Sequence, residues 1–240
     1  MATDPERELF ASTVLGAVGQ QAARLGNTKI TGFLAMVGHA YDRGLMVVGR
    51  AVNGWADGIT PSQLGAPAEV EWYARLVQKS VSGNGECPMY WVTAGWGVGD
   101  GYNTKRSAFW RCIRRVVQDL GIADVEDAGW SSHLVWSNLY KVSPAGGGNP
   151  SNVLCEIQFP GCAELLNLEL RAYRPARVLF LTGVDWAAPF LQAGGLQEGV
   201  GFHYVKRAGD AHGARCVVAV HPQGKPGAAW AREAVTAFDP

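Results

Sequence analysis

The stretch that most constrains this chain is residues 45 to 55, Leu-Met-Val-Val-Gly-Arg-Ala-Val-Asn-Gly-Trp. Leu45 to Val48 form a continuous apolar run, the pattern of a strand buried on both faces, as in a parallel sheet. The run opens directly into Gly49, and Gly54 follows shortly after. A buried strand that ends in a glycine-containing loop is where open α/β sheets place their ligands. The spacing is not that of a dinucleotide fingerprint, and the Gly-Lys-Ser/Thr ending of a phosphate-binding P-loop is missing. The same residues fit a plain strand-to-loop turn, so alone they mark a candidate site at 49–57 and name no chemistry.

Around that strand the chain alternates helical and extended signals. Asp4-Pro5 offers an N-cap carboxylate and then a ring that needs no donor. Phe10, Val14, Val18, Ala22 and Leu25 recur at helical spacing until Gly26. An apolar segment at 30–37 leads to the strand, and Thr60-Pro61 repeats the cap-and-proline start. Val70, Tyr73, Leu76, Val77 and Val81 then carry a helix to near Gly83. Residues 83–103 mix glycines with Tyr90, Trp91, Trp96 and Tyr102 and show little period. This predicts a loop whose rings are either exposed or plugged into the core.

A helix over 104–120 turns Phe109, Ile113, Val116, Val117 and Leu120 inward, and its other face carries Lys105, Arg106, Arg111, Arg114 and Arg115. Such a face is either solvated or phosphate-binding. A second strand is expected at 133–142, a helix at 160–173, a third strand at 177–182 and a last helix at 226–238. Residues 201–220 suggest a hairpin, with arms at 202–205 and 216–220 turned at Gly209-Asp210. Strands alternating with helices predict a single three-layer α/β/α domain over 1–240. Its central, mainly parallel sheet has about four strands, and residues 1–44 form a helical segment packed on it.

The 240 residues suffice for one large core, and 48% hydrophobic against 18% charged residues is a globular balance. Lys plus Arg equals Asp plus Glu at 21 each, so no global field draws the chain to polyanions and any such contact must be local. The five cysteines (87, 112, 155, 162, 216) contain no C-x-x-C pair, which suits reduced, mostly buried thiols and a cytoplasmic protein with no metal or cofactor. The first residues are too acidic for a signal or transit peptide. No apolar run approaches the ~18 residues of a membrane span.

Four strand ends line up in order: Gly49-Arg50-Ala51, Ser137-Asn138-Leu139, Thr182-Gly183 and Val220-His221-Pro222. This order resembles the uracil-DNA glycosylase superfamily, particularly its bacterial and archaeal iron–sulfur branches. The match runs from about 45 to 235 and is closest over Leu134–Pro144 and over Cys162–Gly183, with Glu164, Glu169 and Arg174-Pro175. The resemblance implies a DNA base-excision glycosylase acting on uracil or a deaminated purine, as a monomer, with a flipped base or single strand as its DNA partner. It makes His221 the donor to the departing base oxygen, where charge develops during cleavage. Asn138 becomes the reader of the base's pairing edge. Trp55, Trp91 and Trp96 are candidates for the stacking ring, and Gly49, Arg50 and Ala51 for the loop against the base.

The chain departs from the family's pattern in two places. The first loop of the family carries an acid or amide and then a proline, where Arg50, Ala51 and Val52 stand here. Arg50 cannot act as a base and Ala51 has no polar atom, so the water holder is expected to be Asn53, with Asp57 in reserve. The four cysteines of the iron–sulfur branches are also not matched, so no cluster is expected. A non-catalytic member of the fold, binding a nucleobase or single strand, is the alternative reading. An unrelated small-molecule α/β enzyme is a third, but the chain lacks Gly-x-Ser-x-Gly, a metal-spaced His pair and a nucleotide fingerprint.

Overall fold

Leu45 to Val48 are fully buried, as a strand covered on both faces requires. In a computed structural model, which describes residues 2–191, 196–199 and 201–239, they begin strand β3 (Leu45–Ala51). Before it come β1 (Ile30–Gly32) and β2 (Met36–Val37). After it come β4 (Leu134–Tyr140), β5 (Val142–Pro144), β6 (Arg177–Phe180), β7 (Leu196–Glu198), β8 (Val205–Ala211) and β9 (Ala214–Ala219). The helices are α1 (Asp4–Leu9), α2 (Gly16–Gln20), α3 (Ala22–Leu25), α4 (Pro67–Ser80), α5 (Tyr90–Ala94), α6 (Ala108–Asp119), α7 (Asn152–Tyr173), α8 (Val184–Ala187) and α9 (Gly227–Phe238).

The chain divides into two compact units interleaved in sequence. The first comprises Met1–Met36, Gly49–Gly85 and Ser137–Ala172, and the second Val37–Val48, Glu86–Trp136 and Tyr173–Pro240. A sheet in the order β2-β4-β3-β6-β9-β8-β7 has seven strands among the described residues, more than the four or so expected. Its centre is parallel: β3 pairs with β6, and β6 with β9, in the register Val48, Phe180, Val218. Because these strands run the same way, their C-terminal ends emerge on one edge. The outer strands β8 and β7 are antiparallel, so the sheet is mixed. In the second unit α9 packs on β8, β9 and α6, with Trp230, Ala231, Ala234 and Phe238 buried.

The hairpin turns at His212-Gly213, not at Gly209-Asp210. Both residues have positive φ (55° and 76°), the geometry that two-residue hairpin turns demand, and Ala211 pairs with Ala214 across it. Gly209 lies inside β8 opposite Cys216, and of the predicted arm 202–205 only Val205 is in the strand.

The first unit is helical, with the antiparallel pair β1–β5 beside its helices. Thr3, not Asp4, caps α1 through a capping box with Glu6. A π-helical turn at Phe10–Leu15 follows, and Phe10, Val14, Leu15 and Val18 are buried. Thr60-Pro61 does start a capping box with Gln63, but on a 3-10 turn (Pro61–Gly65) that precedes α4. Helix α7 begins at Asn152, well before the expected Pro160, and carries that proline internally. The Ser151 hydroxyl accepts from Leu154 N–H at 3.2 Å, supplying the start signal.

In the second unit, residues 83–103 contain α5 where a loop was expected. Helix α6 buries Trp110 and Cys112 together with Ile113, Val116 and Val117, while Phe109 and Leu120 are only half-buried. Ser107 caps it, accepting from Trp110 N–H.

Candidate functional site

In the second unit the parallel strands end together at their C-terminal edge. Leu181 N–H donates to Val48 O at 3.0 Å and Gly183 N–H to Ala219 O at 2.9 Å, which holds the three strand exits in register. Trp230 fixes the exit of β9, its indole N–H donating to Val220 O at 2.9 Å. His221 follows, half-buried, and its Nδ1 accepts from Gln223 N–H at 3.2 Å. With Nδ1 used as an acceptor, a neutral ring carries its proton on Nε2, as a hydrogen-bond donor.

The first unit holds Gly49, Arg50, Ala51, Asn53, Trp55, Asp57 and Asn138. Gly49 is buried within β3, and Arg50 and Ala51 are half-buried. The loop after β3 is anchored throughout. Ser143 donates to Val52 O, and Thr31 donates to Ala56 O at 2.8 Å and accepts from Trp55 N–H at 3.2 Å. Tyr73 donates to Asp57 O at 2.9 Å. Burial raises the Tyr73 hydroxyl to about 12, so it stays a donor at neutral pH. Asn53 is exposed, and its Oδ1 accepts from Gly148 N–H at 2.9 Å. The carbonyl oxygen expected to hold water therefore already secures a neighbouring turn. Asp57 is exposed.

Asn138 lies in β4 and is 2% exposed, and its Nδ2 has no hydrogen-bond partner among the described residues. A buried donor left unpaired costs about 1–3 kcal/mol.

The three tryptophans take different places. Trp55 is half-buried, edge-on to Phe33 at 5.9 Å, with its indole N–H on Ser80 O at 3.2 Å. Trp91 and Trp96 belong to the second unit with His221. Trp91 packs on Trp110 at 5.3 Å and Trp136 at 5.5 Å. Trp96 meets Trp130 at 6.3 Å, and the Arg114 guanidinium lies 5.1 Å from its ring.

Sequence reasoning missed a buried ionic network in the first unit. Lys141 Nζ donates to Glu169 Oε1 at 2.6 Å and to Ser137 Oγ at 2.6 Å, and Ser137 donates to Glu169 Oε2 at 2.7 Å. Ser137 and Lys141 stand at i and i+4, on one face of the strand expected there, in a stretch that is apolar but for them and Asn138, which is the signal that was available. A groove of about 430 Å³ in the same unit, lined by Ala11, Ser12, Gly19, Leu64 and Val70 among others, includes none of the predicted site residues. Among the described residues no group of three His, Cys, Asp or Glu side chains is placed to hold a metal ion. No helix there is long and apolar enough to cross a membrane. Neither any protein-family profile nor any curated protein sequence matches the chain.

Proposed function

We propose that this chain is a base-excising DNA N-glycosylase built on the three-layer α/β/α fold of the uracil-DNA glycosylase superfamily. The observation that carries the reading is the Asn138 amide, buried at 2% exposure with Nδ2 unpaired. An amide donor kept dry and unsatisfied suits a ligand carbonyl, and a deaminated base offers one on its pairing edge. His221 supports the reading, because a neutral ring protonated on Nε2 can donate to the base oxygen as negative charge builds there. Water is held by Asp57 first and Asn53 second, since Asn53 Oδ1 has one lone pair committed to Gly148 N–H.

That last bond also favours a second reading, a module that binds the base and does not cleave it. Single-turnover release from oligonucleotides bearing uracil, hypoxanthine or xanthine separates the two. On the first reading His221→Ala slows release by about 10²–10³, the effect of losing one such donor, with its urea midpoint unchanged. Asn138→Ala weakens base binding as well. Release by His221→Ala at the wild-type rate removes that residue from the chemistry. Binding without release from any of the three substrates leaves the second reading.

A further inference from the structure

The basic stretch singled out in the sequence has a structural counterpart that base excision does not use. Residues 101–118 hold five cations, Lys105, Arg106, Arg111, Arg114 and Arg115, and no acid, in a chain whose charges balance overall at 21 and 21. Arg114 is occupied by Glu126 at 2.7 Å. Among the described residues no carboxylate pairs with Lys105, Arg106 or Arg111, and all three are exposed. Arg111 folds back so that its Nη1 donates to Lys105 O at 3.0 Å and Arg106 O at 2.7 Å, which brings its guanidinium to the turn that carries Lys105 and Arg106.

Three residues before Lys105 in the chain stands Tyr102, 61% exposed, its ring 6.2 Å from that of Trp91. The loop that carries this ring is stapled at the residues that follow it. Asn103 Oδ1 accepts from Gly97 N–H at 3.2 Å and Lys105 N–H at 3.0 Å, while its Nδ2 donates to Val98 O at 2.7 Å. Thr104 is buried and donates to Val92 O at 2.7 Å. The backbone under the ring is thus fixed, on the same short segment as Lys105 and Arg106, so little ordering entropy is lost from the loop when something stacks on the ring.

We propose that Tyr102, Lys105, Arg106 and Arg111 form a binding track for single-stranded nucleic acid. One base stacks on the tyrosine, and the flanking phosphates meet the cations. The combination of a rigid aromatic with a basic run is the one that sequence-tolerant single-strand binding uses. A duplex offers phosphates to the cations but keeps its base faces covered, and an acidic peptide has nothing to stack. The track extends the proposed role in nucleic-acid chemistry, yet it lies wholly in the second unit and requires no cleavage.

The test uses the full chain and a labelled, undamaged dT oligomer of about 15 nucleotides, titrated by fluorescence anisotropy from about 50 to about 200 mM salt. Tyr102→Ala weakens binding by about 5- to 100-fold with the salt slope unchanged, and Tyr102→Phe restores it. Lys105→Ala/Arg106→Ala weakens binding and makes the slope shallower by about 1.4, from ~0.7 per phosphate contact on a single strand. Wild-type affinity in Tyr102→Ala overturns the track. So does equally tight binding of a duplex, or displacement of the oligomer by polyglutamate at equal charge. The oligomer holds no excisable base. Excision with binding indifferent to Tyr102 therefore refutes the track alone, and binding with no excision refutes the glycosylase alone.

Discussion

Replacing Lys141 with Met tests the buried network directly. The ammonium, the Ser137 hydroxyl and both Glu169 oxygens form a closed triangle of bonds of 2.6–2.7 Å, and Lys141 and Glu169 are both fully buried. Met keeps most of the stem and removes the charge, leaving a desolvated carboxyl hydrogen-bonded to Ser137 alone of the two partners. Breaking a buried pair from one side costs about 3–5 kcal/mol. Against a typical total of about 5–15 kcal/mol, that is a large share, equivalent to about 6–20 °C in melting temperature for a chain of this size. The assay is urea unfolding, read as a lower midpoint at constant slope.

The pH dependence has a definite sign. Burial raises the Glu169 carboxyl, the Lys141 charge opposes that rise, and the nearby Glu6 adds to it. Lys141→Met removes the opposition, so the folded variant keeps a proton that the unfolded chain releases above about pH 4.3. Its deficit against wild type therefore grows as pH is raised from about 5 to about 7. The double variant Lys141→Met/Glu169→Leu replaces the pair with apolar groups and recovers most of the loss. A deficit below about 1 kcal/mol at neutral pH, or a double variant no more stable than the single one, refutes the reasoning.

Two further outcomes follow from burial. Burial pushes the thiols of Cys112 to about 11 and of Cys162 and Cys216 to about 12, leaving almost no thiolate at pH 8, so iodoacetamide labels Cys87 in the native protein and spares these three. Peptide mapping checks this, and native labelling of Cys216 contradicts it. Gly161→Ala destabilises by up to about 2 kcal/mol in urea, because overpacking of about 1–3 kcal/mol outweighs a helix-propensity gain of about 1 kcal/mol; a more stable variant refutes it.

What could be read from the sequence was what single residues decide locally. The unbroken run Leu45–Val48 predicts a doubly buried strand, and it is one, since nothing polar interrupts either face. Thr60-Pro61 marks a capping box because cap and proline act within one turn. The expectation at Gly209-Asp210 failed because two glycines compete for the hairpin. The turn goes to His212-Gly213, where both φ values are positive, and glycine at 209 is spent in extended backbone. The sheet's extra strands are short, β2 having two residues and β7 three, too few to show a period.

Pro160 and Asn53 failed for a different reason, in that tertiary partners outrank local preference. Proline inside a helix removes a backbone bond and marks a boundary on propensity alone. Yet Gly161, the next residue, sits where a Cβ would come within 2.5 Å of Thr13 Oγ1 and 2.9 Å of the Thr13 backbone. At this Pro-Gly step α7 passes another segment of the first unit too closely for any side chain, and packing on both sides of the proline carries the helix through it. Asn53 shows the same logic in the loop. An amide after a strand signals a polar contact but not its partner, and here the partner is Gly148 N–H, 95 residues away. The sequence announces that such side chains will be satisfied. Whether protein or ligand satisfies them is decided by the fold, and in Asn138 the fold leaves a buried donor open.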